Sequence, residues 1–155
     1  MAKTLRKLET AALALGAVIA AVAVLYAGRG AFQANTAWTE GADLAMNLAL
    51  TLGALAIVIG VALLPYVCLF FLGRLIPADA VRARIAGLAI SCATVVASGF
   101  LYYEAISAVH GPGARSTAPI LFALFPAFLL VVSATLYALV IVAVRLFSSG
   151  RARGA

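Results

Sequence analysis

The strongest constraint in this chain is its division into four long apolar runs, at about residues 10–28, 44–72, 85–109 and 118–146, with almost no charge inside them. A helix needs about 20 apolar residues to cross a hydrocarbon core of about 30 Å. In lipid, each backbone N–H and C=O must also find its partner within the segment. Runs of this length therefore predict four transmembrane helices. Composition agrees, since 66% of residues are apolar and 10% charged, against about 45–50% and 25% in soluble domains. Mean hydropathy is +1.16. No link is long enough to hold a second fold, so residues 1–155 read as one domain. The expected fold is all-α, a polytopic bundle of four transmembrane helices whose short loops make consecutive helices antiparallel neighbours.

A net charge of +6 and a pI near 9.9 raise the question of nucleic acid. The basic residues sit at segment ends and form no face interleaved with aromatics, so a nucleic-acid partner is not expected. They act as topology signals instead. With four spans, Lys3, Arg6, Lys7, Arg74, Arg82, Arg84, Arg145, Arg151 and Arg153 fall on one side, and Arg29 and Arg115 on the other. The positive-inside rule then places both termini in the cytoplasm. Arg outnumbers Lys and Ala is abundant, a composition typical of a high-GC bacterium, so the expected location is a bacterial inner membrane.

Taken in order, residues 1–9 form a basic head and residues 11–27 a first span without an acidic residue. A basic head before an apolar run also fits a cleaved signal peptide, but no clean Ala-x-Ala site follows. Residues 28–43 read as a polar link with Trp38 at the interface. The next run is about thirty residues long without a charge. As a helix it would measure roughly 45 Å, so it must tilt, kink or protrude. Pro65 and Pro126 are expected kinks in the second and fourth spans. Pro77 is expected to open the third helix, with Asp79 in its first turn. That helix stops at His110-Gly111-Pro112-Gly113, a Gly and Pro terminator.

Chemistry has few places to reside. Glu104 is acidic and lies in an apolar context, which by default marks a functional hypothesis. With the third span centred near Val95, however, Glu104 stands roughly 13 Å from the centre, at headgroup depth. It is then an interfacial acid in an outer belt with Tyr26, Trp38, Tyr102 and Tyr103. The competing reading is a proton or cation site formed by Glu104, with Ser107 one turn on and Arg115 or Arg29 as counter-ion. Glu104 and His110 project about 120° apart on a helix, so they do not pair simply. Cys68 and Cys92 have no metal or redox spacing, although a hairpin of the second and third spans would bring them to similar depth.

Small residues are far more plentiful. Gly87, Ser91, Thr94, Ser98 and Tyr102 share one face of the third span, Ala12, Gly16 and Ala20 mark the first, and Gly53, Ala56 and Gly60 the second. Such stripes let transmembrane helices approach closely, either within the chain or against another protein. Helix-packing positions are thus expected at Gly16, Gly53, Gly60, Gly87, Ser91 and Ser98. No phosphate loop, metal cluster or nucleophile triad occurs, so no cofactor and no enzymatic activity are expected. The expected role is an accessory or scaffolding subunit of a membrane assembly, or a homo-oligomer, with lipid and membrane proteins as partners. The alternative is a small oligomeric transporter or channel using Glu104.

Overall fold

The computed structural model describes residues 2–37, 42–77, 80–110 and 118–152, which form four helices: α1 (Ala2–Ala37), α2 (Ala42–Arg74), α3 (Val81–His110) and α4 (Ala118–Ala152). Each contains a stretch long and apolar enough to cross a membrane, at Lys3–Arg29, Ala45–Arg74, Val81–Ser107 and Leu124–Leu146. The chain is all-helical among its described residues and carries the four spans of a multi-pass membrane protein.

Two expected boundaries move. The basic head is helical, and α1 runs on through most of the expected link to Ala37. No proline interrupts residues 28–37, so nothing removes a hydrogen bond from the helix as it leaves the core. At the other end of the bundle Pro77 does not open α3. It stands in the turn, where its carbonyl accepts from Ala80 N–H at 3.3 Å, and Ala80 in turn accepts from Arg84 N–H at 3.0 Å. Asp79 and Trp38 lie outside the described residues. Pro65 and Pro126 both lie within continuous helices and are fully buried.

The arrangement departs from a simple meander. α1 packs on α2 and α3, and α4 packs on the same two helices, whereas α2 and α3 barely touch. Consecutive helices α2 and α3 therefore occupy opposite corners of the bundle, and so do α1 and α4. The six-residue link 75–80 permits this, because it can reach about 20 Å. The diagonal of a square of helices about 9 Å apart is only about 13 Å. Cys68 and Cys92 consequently sit on helices that do not form a hairpin pair. Both are free thiols, Cys68 half-buried and Cys92 exposed.

Large apolar side chains such as Ile57, Phe71, Val96, Phe100, Phe128 and Val131 point outward. The interior instead collects small residues, hydroxyls and three tyrosines: Ala20, Ala62, Ser91, Ser98, Ala105, Tyr66, Tyr102 and Tyr137. That inversion suits a lipid solvent. Lipid is as apolar as Leu, so helices gain from close packing and internal hydrogen bonds rather than from removing apolar surface from water.

Candidate functional site

The polar interior is built around α3, whose residues Arg84, Gly87, Ser91, Thr94, Ser98 and Tyr102 recur every three or four positions and are all buried. That spacing keeps them on one helical face. At the end of the bundle where α1 and α3 begin and α2 and α4 finish, Glu9 of α1 is only 4% exposed. Its Oε1 accepts a hydrogen bond from the Tyr137 hydroxyl of α4, which crosses the diagonal between two helices that hardly touch otherwise. The same hydroxyl lies 2.9 Å from Ser91 Oγ and 2.9 Å from the Gly87 carbonyl oxygen, both on α3.

Two glycines make this approach possible. A Cβ on Gly73 of α2 would collide with Glu9 Oε1, and one on Gly87 would stand 3.2 Å from the Tyr137 oxygen and 3.5 Å from Glu9 Oε1. All four helices thus contribute to the surroundings of one carboxylate. Arg84, also 4% exposed, lies one turn before Gly87. It donates from Nη2 to the Ile76 carbonyl at 2.6 Å, while its Nε and Nη1 have no partner among the described residues. Its charge is within electrostatic reach of the Tyr137 hydroxyl. Beside Glu9, a small cleft between α1 and α2 is lined by Arg6, Thr10, Leu13, Phe70 and Arg74. The Arg74 guanidinium rests 4.3 Å from the centre of the Phe70 ring.

Roughly 10 Å deeper along α3, seven residues at 1.5 Å each, a second polar crossing spans the other diagonal. Tyr66 of α2 donates to Ser98 Oγ of α3, and Ser98 donates back to the Val95 carbonyl at 2.9 Å. Gly16 of α1 lies against this crossing. A Cβ there would overlap the Tyr66 ring and stand 2.8 Å from Val95 Cγ2. Thr94 and Ser133 turn back to carbonyls of their own helices, Ile90 and Leu129. They line an apolar groove of about 380 Å³ between α3 and α4, together with Ala93 and Ala97.

The residues expected to carry chemistry lie elsewhere. Glu104 and Ser107 are exposed on α3, as is Arg29 on α1, and Arg115 lies outside the described residues. The structure therefore does not bring Glu104, Ser107 and Arg115 together. Tyr103 is 67% exposed, as a belt residue should be, but Tyr102 is 2% exposed and belongs to the interior face instead. Among the packing positions, Gly16, Gly87, Ser91 and Ser98 are buried at helix contacts. Gly53 and Gly60 are exposed, and nothing stands within 4 Å of a Cβ on either. Of the two uses open to the α2 stripe, packing inside the chain does not occur.

Glu9 is not among the residues that the sequence singles out, because it closes the basic head just before a first span without an acidic residue. A signal was present. Glu9 precedes Gly16 by seven residues, two helical turns, and so shares the inward face of Leu13, Gly16 and Ala20. Among the described residues, no group of three or more His, Cys, Asp or Glu could hold a metal ion. Comparison with family models, with curated proteins and with solved structures returns no match.

Proposed function

We propose that this protein is a non-enzymatic subunit of a membrane assembly, or a homo-oligomer, that works by helix packing from α2. The observation that carries this reading is the contrast between two sets of glycines. Gly16, Gly73 and Gly87 are filled against by neighbouring side chains, whereas Gly53 and Gly60 face outward with open space above them. Ala49 and Ala56 lie on the same outward face, exposed and in phase with them. A flat, small-residue face lets a second transmembrane helix approach its backbone closely. The location that fits is a bacterial inner membrane with both termini in the cytoplasm, since the Glu9 end of the bundle gathers basic residues from all four helices, with Arg29 of α1 at the other end.

The competing reading, flux of a proton or cation past Glu104, draws less support. Glu104 is exposed on the periphery of α3, and the interior between the helices is filled by Tyr66, Leu69, Tyr102 and Tyr137. Purification in a mild detergent tests the proposal. Wild type should elute as a defined oligomer or with a stoichiometric membrane partner, and Gly53→Ile/Gly60→Ile should elute as a folded monomer. A monodisperse wild-type monomer with no partner would refute it.

A further inference from the structure

We infer that Glu9 is a reversible proton-binding site, buried at the basic end of the bundle and built so that either protonation state of its carboxyl is satisfied. The argument rests on the two acceptors available to a single hydroxyl. Tyr137 has one O–H proton, and its oxygen faces both Glu9 Oε1 and the Gly87 carbonyl, the latter at 2.9 Å. Ser91 Oγ, at 2.9 Å, can serve as donor or acceptor toward the same oxygen.

With Glu9 ionised, Ser91 donates to the Tyr137 oxygen and Tyr137 donates to Glu9 Oε1. When a proton binds to Oε1, the new carboxylic O–H donates to the Tyr137 oxygen, and Tyr137 turns its own proton to the Gly87 carbonyl. One proton is taken up, no covalent bond other than that O–H forms, and no heavy atom has to move. A buried acid with a single fixed donor would favour one state and strand a polar group in the other, at a cost of about 1–3 kcal/mol. Here the second acceptor removes that conflict.

The surroundings fit a proton better than a larger cation. Gly73 and Gly87 hold the backbone against the carboxylate, and the oxygens gathered with it among the described residues are those of Tyr137, Ser91 and the Gly87 carbonyl, whereas a bound hard cation takes about six ligands. The charged groups lining the cleft beside Glu9 are Arg6 on its own helix and Arg74 on α2, and Arg84 of α3 lies one turn before Gly87, with the Tyr137 hydroxyl completing the surroundings on α4. These guanidinium groups oppose a metal ion but allow a neutral acid. The cleft beside Arg6, Thr10 and Arg74 has room for about one water molecule, which supplies a route for the proton from the basic end.

The chain contains three glutamates, Glu9, Glu40 and Glu104, which permits a selective test. In a Glu40→Gln/Glu104→Gln background made by cell-free synthesis with side-chain ¹³C-carboxyl glutamate and reconstituted in lipid, Glu9 carries the only labelled side-chain carboxyl. Infrared difference spectra across a pH titration should show a labelled carboxylic C=O band that appears on acidification, disappears on return and is the same in sodium and choline buffers. Adding Tyr137→Phe should keep the band but shift its frequency, because the acid loses its hydrogen-bond partner. A band that is absent or fixed across the titration, suppressed by sodium, or unmoved by Tyr137→Phe in a protein whose helix content is unchanged would overturn the inference.

Discussion

Glu9 and Glu104 stand near opposite ends of the same bundle, and the sequence around each suggests the opposite of what the fold does with it. Glu104 follows nineteen uncharged residues, 85–103, and ends up exposed. Glu9 follows Lys3, Arg6 and Lys7 in a head that reads as solvated, and ends up 4% exposed against three other helices. Depth along the chain is the same kind of information for both. Helical phase is what separates them, since Glu9 is in register with Leu13, Gly16 and Ala20, whereas Glu104 is two residues out of step with Tyr102. For a small membrane bundle, the face on which an acid falls decides more than the hydropathy around it.

The sharpest way to break that comparison is to remove the group that ties Glu9 to the bundle centre. Tyr137 is fully buried, and its hydroxyl meets Glu9, Gly87 and Ser91 together. Tyr137→Ala loses a buried aromatic ring and strands the carboxylate, and should destabilise the protein by roughly 3–5 kcal/mol. Tyr103→Ala, at the Glu104 end, removes an exposed ring and should change stability by no more than about 0.5 kcal/mol. Denaturation in mixed micelles, followed by loss of helical circular dichroism, measures both. Equal losses would mean that the two ends are not energetically distinct.

A smaller effect, of opposite sign at two glycines, sharpens the contrast between inside and outside. Gly16→Ala forces a methyl group into the Tyr66 ring and to 2.8 Å from Val95 Cγ2, and overpacking of this kind costs about 1–3 kcal/mol. Gly60→Ala meets nothing within 4 Å and should gain roughly 0.5–1 kcal/mol from reduced backbone freedom. In the same samples, the Gly60 variant should weaken assembly while the Gly16 variant weakens the fold. A stabilised Gly16→Ala would show that α1 does not seat against Tyr66 and Val95.

The same two glycines mark how far the sequence could be read. Four spans follow directly from run length, because lipid leaves the backbone no alternative to a helix. The inward face of α3 follows from Gly87, Ser91 and Ser98 at helical spacing, and all three are buried. Gly16 and Gly60 look alike in sequence, yet one is pressed by a tyrosine ring and the other faces outward. Nothing local distinguishes them, since the difference arises from which helices occupy the diagonal corners. That arrangement depends on how rings seat against glycines on helices far apart in the chain. Tyr102 and Tyr103 read alike as belt residues, yet adjacent residues on a helix point about 100° apart, and only Tyr103 faces outward.

The smallest expected effect completes the comparison. Glu104→Gln removes a charge from an exposed position with no partner helix across from it, and surface changes of this kind stay within about 0.5 kcal/mol. The variant should also leave ion movement in proteoliposomes at the wild-type level, because a carboxylate on the outer surface of α3 neither lines an interior path nor contacts Tyr137. Glu9→Ala provides the internal reference: it empties a buried position against which Tyr137, Gly73 and Gly87 pack, so it should lower the denaturation midpoint where Glu104→Gln does not. If Glu104→Gln abolished a pH-dependent flux present in wild type, the exposed acid would be the working one. The asymmetry between the two ends would then describe packing alone.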